Sequence, residues 1–320
     1  MIVVTGAAGF IGSCLIKRLN IEGLGPVLAV DDFTDAVKNK NLEGKDIFKQ
    51  IDRFEFIKNP GQWGMLDFVF HIGARTDTTE FDTELLHKLN TDYTTKLWNY
   101  CTQNKVPLIY ASSAATYGLA ENGFDDNHDG IPQLKPLNPY GQSKQNFDIW
   151  ALKQTQTPPF WAGLKFFNVF GPNEYHKGRM ASVIMNGTTQ IKEHEFIKLF
   201  RSHIPEYQDG EQVRDFIYVK DVMDVVMYLY KTTPESAIYN LGTGQARSWN
   251  DLAKAIFKAL NKPVIINYID IPEDIREKYQ YFTEAKMQKL INTGYNKPFT
   301  SLETAVNDYI NNYLLTNSFY

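Results

Sequence analysis

The chain has 320 residues, 43% hydrophobic and 22% charged, with a net charge of −4. These values suit one large or two modest globular domains and give no attraction for nucleic acid or an anionic membrane surface. Two cysteines, Cys14 and Cys101, make neither a disulfide framework nor a zinc site. No apolar run nears the roughly 20 residues of a membrane span, and "MIVVTG" lacks the charged region of a secretory signal. A cytoplasmic protein with no metal, nucleic-acid or membrane partner is expected.

"IVVTG" (2–6) is a β-branched run closed by glycine, the pattern of a buried parallel strand. Residues 10–20 follow with Ile11, Cys14, Leu15 and Leu19 at helical spacing. The turn between them, "TGAAGFIG", carries Gly6, Gly9 and Gly12. Glycines there permit a tight turn, a close approach of backbone to a pyrophosphate, and close packing of helix on strand. The helix start then offers free N–H groups and a positive dipole end to phosphates. "VLAVDDF" (27–33) predicts a second strand ending in Asp31 and Asp32, and Asp31 lies 19 residues beyond Gly12. This is the pattern of a dinucleotide site. The two acids suit a free ribose hydroxyl, whereas Lys38 and Arg53 could offset a 2′-phosphate, so NAD and NADP both stay open.

"LDFVFHIGA" (66–74) and "VPLIYASSA" (106–114) predict further strands, with a helix over 91–104 between them. "WAGLKFFNVFG" (161–171) is expected to complete the run. The fold class is α/β: a Rossmann-type, doubly wound parallel sheet. From about residue 171 to 213 the chain is polar and reads as irregular. Residues 214–230 then predict a strand leading into a helix, and 236–244 a strand ending in a Gly-rich turn. The expected division is a cofactor-binding Rossmann domain of 1–170 and about 214–240. A smaller, interleaved substrate-binding domain takes about 171–213 and 241–320. The terminal "NSFY" reads as loosely held.

"NPYGQSKQNFDIW" (138–150) places Tyr140 and Lys144 four residues apart, on one face of a helix. An ammonium beside a phenol favours phenolate and makes a proton acceptor near neutral pH. Upstream, "IYASSAATYG" runs a strand into a serine turn, where Ser113 is placed to hydrogen-bond a substrate oxygen. "GPNEYHKGRMASV" (171–183) carries His176 and Lys177. From these residues alone Lys177 is a solvated loop charge, an anion clamp or a catalytic group. Arg214, beside Asp215, has a structural ion pair as its plain reading, and Tyr279 that of a helix-edge aromatic.

Glycine turn, Ser and Tyr-x-x-x-Lys in this order resemble the extended short-chain dehydrogenase/reductase family, most of whose members act on nucleotide sugars. The likeness covers nearly the whole chain, with "RDFIYVKDV" and "YNLGTG" as late landmarks. Within the family it is nearest to the branch that epimerises an ADP-linked heptose at C6 for lipopolysaccharide core synthesis. "SSAATYG", "KPLNPYGQSK", "FNVFGPNEYHKGRMASV", "RDFIYV" and "EKYQYFTEAKMQKL" carry that narrower likeness.

The resemblance implies Tyr140, Lys177, Ser113 and Lys144 as the catalytic group. It implies cofactor contacts from Gly6, Gly9, Phe10, Ile11 and Gly12, from Asp31, Asp32, Lys38 and Arg53, from Ile72, Gly73, Ala74, Arg75 and Asn90, and from Lys144, Val169 and Lys177. Lys38 and Arg53 would meet the 2′-phosphate, which favours NADP over NAD. The ADP-heptose substrate would meet Ser113, Asn168, Arg179, Asn186, Phe200, Arg201, Ser202, Arg214 and Tyr279. Arg179 and Asn186 depart from the best-known form, which has serine and histidine there, and residues 201–212 form a longer segment. A homo-oligomer, a pentamer in that form, is implied as well. Three rival readings are weaker. A dehydratase needs an acid where Ala114, Ala115 and Thr116 stand, a UDP-hexose 4-epimerase has no use for Lys177, and a non-enzymatic NAD(P)-sensing protein has no need of Ser113, Tyr140 and Lys144.

Overall fold

The computed structural model describes residues 1–277 and 279–320. In β1 (Ile2–Thr5) every residue is buried, and its side chains alternate between two cores. Val4 packs with Cys14, Leu15 and Leu19 of α1 (Phe10–Ile21), and Val3 packs on the opposite face with Leu97 and Trp98. A strand apolar on both faces must be covered on both faces, which is the physical basis of a doubly wound sheet. The sheet has seven strands: β1, β2 (Val27–Asp31), β3 (Lys49–Asp52), β4 (Phe68–His71), β5 (Leu108–Ser113), β6 (Trp161–Phe166) and an edge strand at Ala237–Leu241. All pairings are parallel. From β1 the chain builds outward to β2 and β3, then crosses back to start the other half at β4. That reversal opens a crevice at the carboxyl ends of β1 and β4, where ligands of such sheets bind.

Several expectations need correction. Residues 161–171 do not make one strand that completes the sheet. β5 ends at Ser113 opposite Phe166, so beyond Phe166 no neighbour remains in the sheet. The chain leaves, and β7 (Asn168–Phe170) pairs instead with β9 (Val213–Tyr218). The strand that completes the sheet on that side is β10 (Ala237–Leu241). β3 was not expected, because among Lys49–Asp52 only Ile51 is buried and an edge strand carries no apolar pattern.

The 171–213 segment is not irregular throughout. It holds a helix, Val183–His194, and β8 (Ile197–Phe200), which pairs with a strand at Ile266–Ile269. That helix buries Gly187 and Thr188 between Ile184 and Ile191, a stripe of small residues that reads as polar. The helix expected over 91–104 is Tyr93–Gln103, continuing from helical turns at Thr83–Leu86 and His87–Asp92.

Nor is "NSFY" loose. Tyr320 exchanges backbone hydrogen bonds with the Asn173 side chain, and Phe319 packs on Tyr175. Among the described residues no helix is long and apolar enough to cross a membrane.

Candidate active site

A cavity of about 690 Å³ occupies the crevice. Its floor is the glycine turn. Gly6 sits at φ +66°, and a Cβ there would lie 2.6 Å from the Gly73 Cα; one on Gly12 would lie 2.1 Å from the Gly6 carbonyl oxygen. Side chains at these two positions would close the turn, so the backbone stays bare and near enough for a pyrophosphate. Phe10 and Ile11, the first residues of α1, also line the cavity. The cradle fits a dinucleotide.

At the adenosine end the acids and bases have found each other. Asp31 is buried and accepts from the Ala8 N–H at 2.9 Å and the Lys38 ammonium at 2.7 Å. Asp32 pairs with Arg53 at 3.1 Å. Ile72, Gly73, Ala74 and Arg75, which follow β4, line the cavity, as does Val169. Asn90 lies outside the cavity. Its amide brackets Arg75, accepting from the backbone N–H at 2.8 Å and donating to the carbonyl at 2.9 Å, and also reaches the Ser143 hydroxyl.

Ser113, Tyr140, Lys144 and Lys177 all line this cavity. Ser113 ends β5. Tyr140 and Lys144 lie in a helix, Pro139–Leu152, whose start is capped by the Asn138 side chain on Gly141. Lys177 arrives from a separate element, the 3₁₀ segment Tyr175–Met180. Its ammonium sits 5.3 Å from the Phe10 ring centroid. Burial pushes it below its ordinary value, with the Glu174 carboxylate opposing. It is not a solvated loop charge.

The phenol behaves differently from expectation. Burial holds Tyr140 above its ordinary value, and a hydrogen bond with Ser113 is the opposing influence. Lys144 donates a hydrogen bond to the Ala111 carbonyl at 2.8 Å and is itself pushed down to about 8 by burial, with Asp148 opposing.

The remaining expected contacts lie outside this cavity. Arg214, 7% exposed, is stacked 5.2 Å from the Tyr279 ring and 5.6 Å from Trp249, and donates to the Val213 and Gln280 carbonyls. It makes no ion pair with Asp215, which accepts instead from Thr243, Gly244 and Ala285 N–H groups. Phe200 meets Tyr279 edge-on at 5.9 Å. Tyr279 also borders a second cavity of about 330 Å³ with Leu119, Phe124 and Tyr281. Arg201 faces Asp209 and Asp270 at 3.9 Å, and the Ser202 N–H donates to Asp209. Asn168, Arg179 and Asn186 do not join this group. Asn168 is exposed on β7, Asn186 donates to the Ala181 carbonyl, and Arg179 bonds Thr79 and faces Asp77, a residue of the cavity lining, at 3.7 Å.

Two polar features escaped sequence reasoning. Asn41, 1% exposed, donates to the Ala8 and Asn173 carbonyls and lies 3.3 Å from His176 Nδ1. It has no motif to announce it. His176 beside it is pushed down to about 4 by burial, so its ring is neutral. Lys165 and Asp148 form a wholly buried pair between the strand Trp161–Phe166 and the helix that carries Tyr140. Here a signal existed: a lone lysine in an apolar strand, and an acid one helical turn beyond Lys144.

Residues 2–242 match the NAD dependent epimerase/dehydratase family. The chain belongs to this family. Among its relatives in the family, the ADP-L-glycero-D-manno-heptose-6-epimerase of Fusobacterium nucleatum subsp. nucleatum is 44% identical over the full length of both chains. The protein of the same name from Nitratidesulfovibrio vulgaris (strain DP4) is 44% identical over 98% of each. The crystal structure of the Helicobacter pylori ADP-L-glycero-D-manno-heptose-6-epimerase superposes with a TM-score of 0.82 at 29% identity. That match covers 97% of this chain and 94% of the other.

Proposed function

We propose that the protein epimerises ADP-D-glycero-β-D-manno-heptose at C6 to the L-glycero form, by transient oxidation and re-reduction of that carbon. The observation that carries this reading is that Tyr140 and Lys177, on separate elements, line one cavity with Ser113 and the glycine cradle. The 44% identical relatives named for this reaction support it.

Direct removal of a proton from an unactivated carbinol carbon is hard. A nicotinamide bound in the cavity supplies a hydride acceptor that returns the same hydride, so nothing is consumed. The protein's own part is proton handling and orientation. Oxidation needs a base at the C6 hydroxyl, and reduction from the other face needs an acid on the other side. Tyr140, held protonated by burial, and Lys177, lowered by burial, fill the two roles and exchange them with direction. Ser113 orients the C6 oxygen. Because C6 is exocyclic, rotating the side chain exposes its second face while the nucleotide stays bound.

The Arg214 stack is the counterion for the diphosphate, a task that suits a planar guanidinium without a carboxylate partner among the described residues. Phe200, Arg201, Ser202 and Tyr279 belong to the same half of the substrate site, with Asn168, Arg179 and Asn186 toward the sugar. NADP is the cofactor in this reading. Lys38 and Arg53 turn from Asp31 and Asp32 to a 2′-phosphate. Residues 1–170 and about 214–240 hold the dinucleotide, and 171–213 and 241–320 the sugar nucleotide. A cytoplasmic homo-oligomer serving lipopolysaccharide core synthesis completes the proposal. Proton NMR of ADP-D-glycero-D-manno-heptose incubated with the purified protein tests it. Inversion at C6 is expected, and an unchanged heptose spectrum would overturn the reading.

A further inference from the structure

We propose that residues 317–320 are a positioning element for Lys177: they clamp the two residues that flank Glu174 and hold the turn carrying the ammonium against the cavity. The proposal rests on the reading of Lys177 as an acid/base.

Lys177 needs such support because its own segment supplies little. The 3₁₀ run Tyr175–Met180 is broken at Gly178, which has φ +53°, and the Lys177 N–H is held by one bond to the Glu174 carbonyl at 3.0 Å. Short 3₁₀ runs have poor hydrogen-bond geometry. Position must come from neighbours.

The neighbours on one side are the last residues of the chain. Asn173, wholly buried at φ +76°, pairs its amide with the backbone of Tyr320. Its Oδ1 accepts from the Tyr320 N–H at 2.8 Å, and its Nδ2 lies 3.2 Å from the Tyr320 carbonyl. The Tyr175 hydroxyl lies 2.9 Å from the Ser318 carbonyl and 3.1 Å from that of Tyr313. The Tyr175 ring meets Phe319 edge-on at 5.1 Å. The clamp is itself anchored from behind: Lys45 donates to the Tyr320 carbonyl, and the Lys220 ammonium lies over the Tyr320 ring. On the other side Asn41 joins the Asn173 carbonyl to that of Ala8 in the glycine turn. Tail, lysine turn and cofactor cradle therefore share one hydrogen-bonded frame. Its bonds run to backbone groups, so they set distance and angle rather than charge.

The test is a double-mutant cycle on the holoenzyme: the full chain and a chain ending at Thr316, each with Lys177 or with Lys177→Met. A misplaced acid/base costs up to about 10²-fold in rate, so trimming is expected to lower kcat by about 10- to 100-fold with KM and bound cofactor unchanged. In the Lys177→Met background trimming should cost nothing further, because both changes remove the same function. Tyr175→Phe, which keeps the ring and removes the hydroxyl's two contacts, should lower kcat in the same selective way even if the trimmed chain folds poorly. Wild-type kcat in Tyr175→Phe and the trimmed chain, or an equal further loss on trimming Lys177→Met, would overturn the proposal. Near-normal turnover by Lys177→Met alone would overturn the acid/base reading itself, a separate result visible before any trimming.

Discussion

Lys165 and Asp148 pair at 2.7 Å with neither side chain exposed, under the helix that carries Tyr140 and Lys144. Tyr140, Lys144 and Asp148 are spaced by four, so they share one face of that helix. Tyr110 and Ser112 donate to the same carboxylate, and Lys165 also reaches Thr116. The pair thus pins the Tyr140 helix to β5 and β6. Removing one partner leaves a buried charge alone, so Lys165→Met should destabilise the fold by about 3–5 kcal/mol. Urea unfolding measures this. A loss below about 1 kcal/mol would mean that water reaches the orphaned carboxylate.

The two proposed acid/base groups make a kinetic prediction. Tyr140→Phe and Lys177→Met should each lower kcat by about 10²–10⁴-fold with either C6 epimer at saturation. If Lys177 only clamped a phosphate, Lys177→Met would raise KM and leave kcat largely intact.

Hydride return predicts the fate of a label. Substrate deuterated at C6 should give an epimer that keeps its deuterium in ordinary water, as read by mass spectrometry. Wash-in of solvent hydrogen at C6 would point to carbanion chemistry instead.

Lys144 makes stability depend on pH. Its folded value is about 8 against an ordinary 10.5, so between those values the unfolded chain binds more protons than the folded one. Stability from this group therefore rises with pH across about 8 to 10.5. Lys144→Met should remove that rise. Lys45, also lowered to about 8, contributes to both proteins and cancels in their difference. Unfolding free energies of the two across this window, if parallel, would contradict the assignment.

The adenosine-end pairs predict cofactor choice. Lys38→Ala with Arg53→Ala removes both bases and leaves Asp31 and Asp32 unpaired, which disfavours a 2′-phosphate twice over. Fluorescence titration should show NADP(H) weakened far more than NAD(H). Equal losses would return both bases to a structural role.

Much of the candidate site was legible before folding, because local rules wrote it. The glycine turn needs a bare backbone at Gly6 and Gly12, and helical spacing puts Tyr140 and Lys144 on one face. Both are relations between residues close in sequence, and chain geometry alone enforces them. What tertiary structure decided lies between residues far apart. Tyr320 pairs with Asn173 across 147 positions, and Arg214 turns from its neighbour Asp215 to the rings of Trp249 and Tyr279. The Tyr140 phenol is held high rather than low, because burial outweighs the hydrogen bond with Ser113. Burial is a property of the whole assembled core, and no window of sequence contains it.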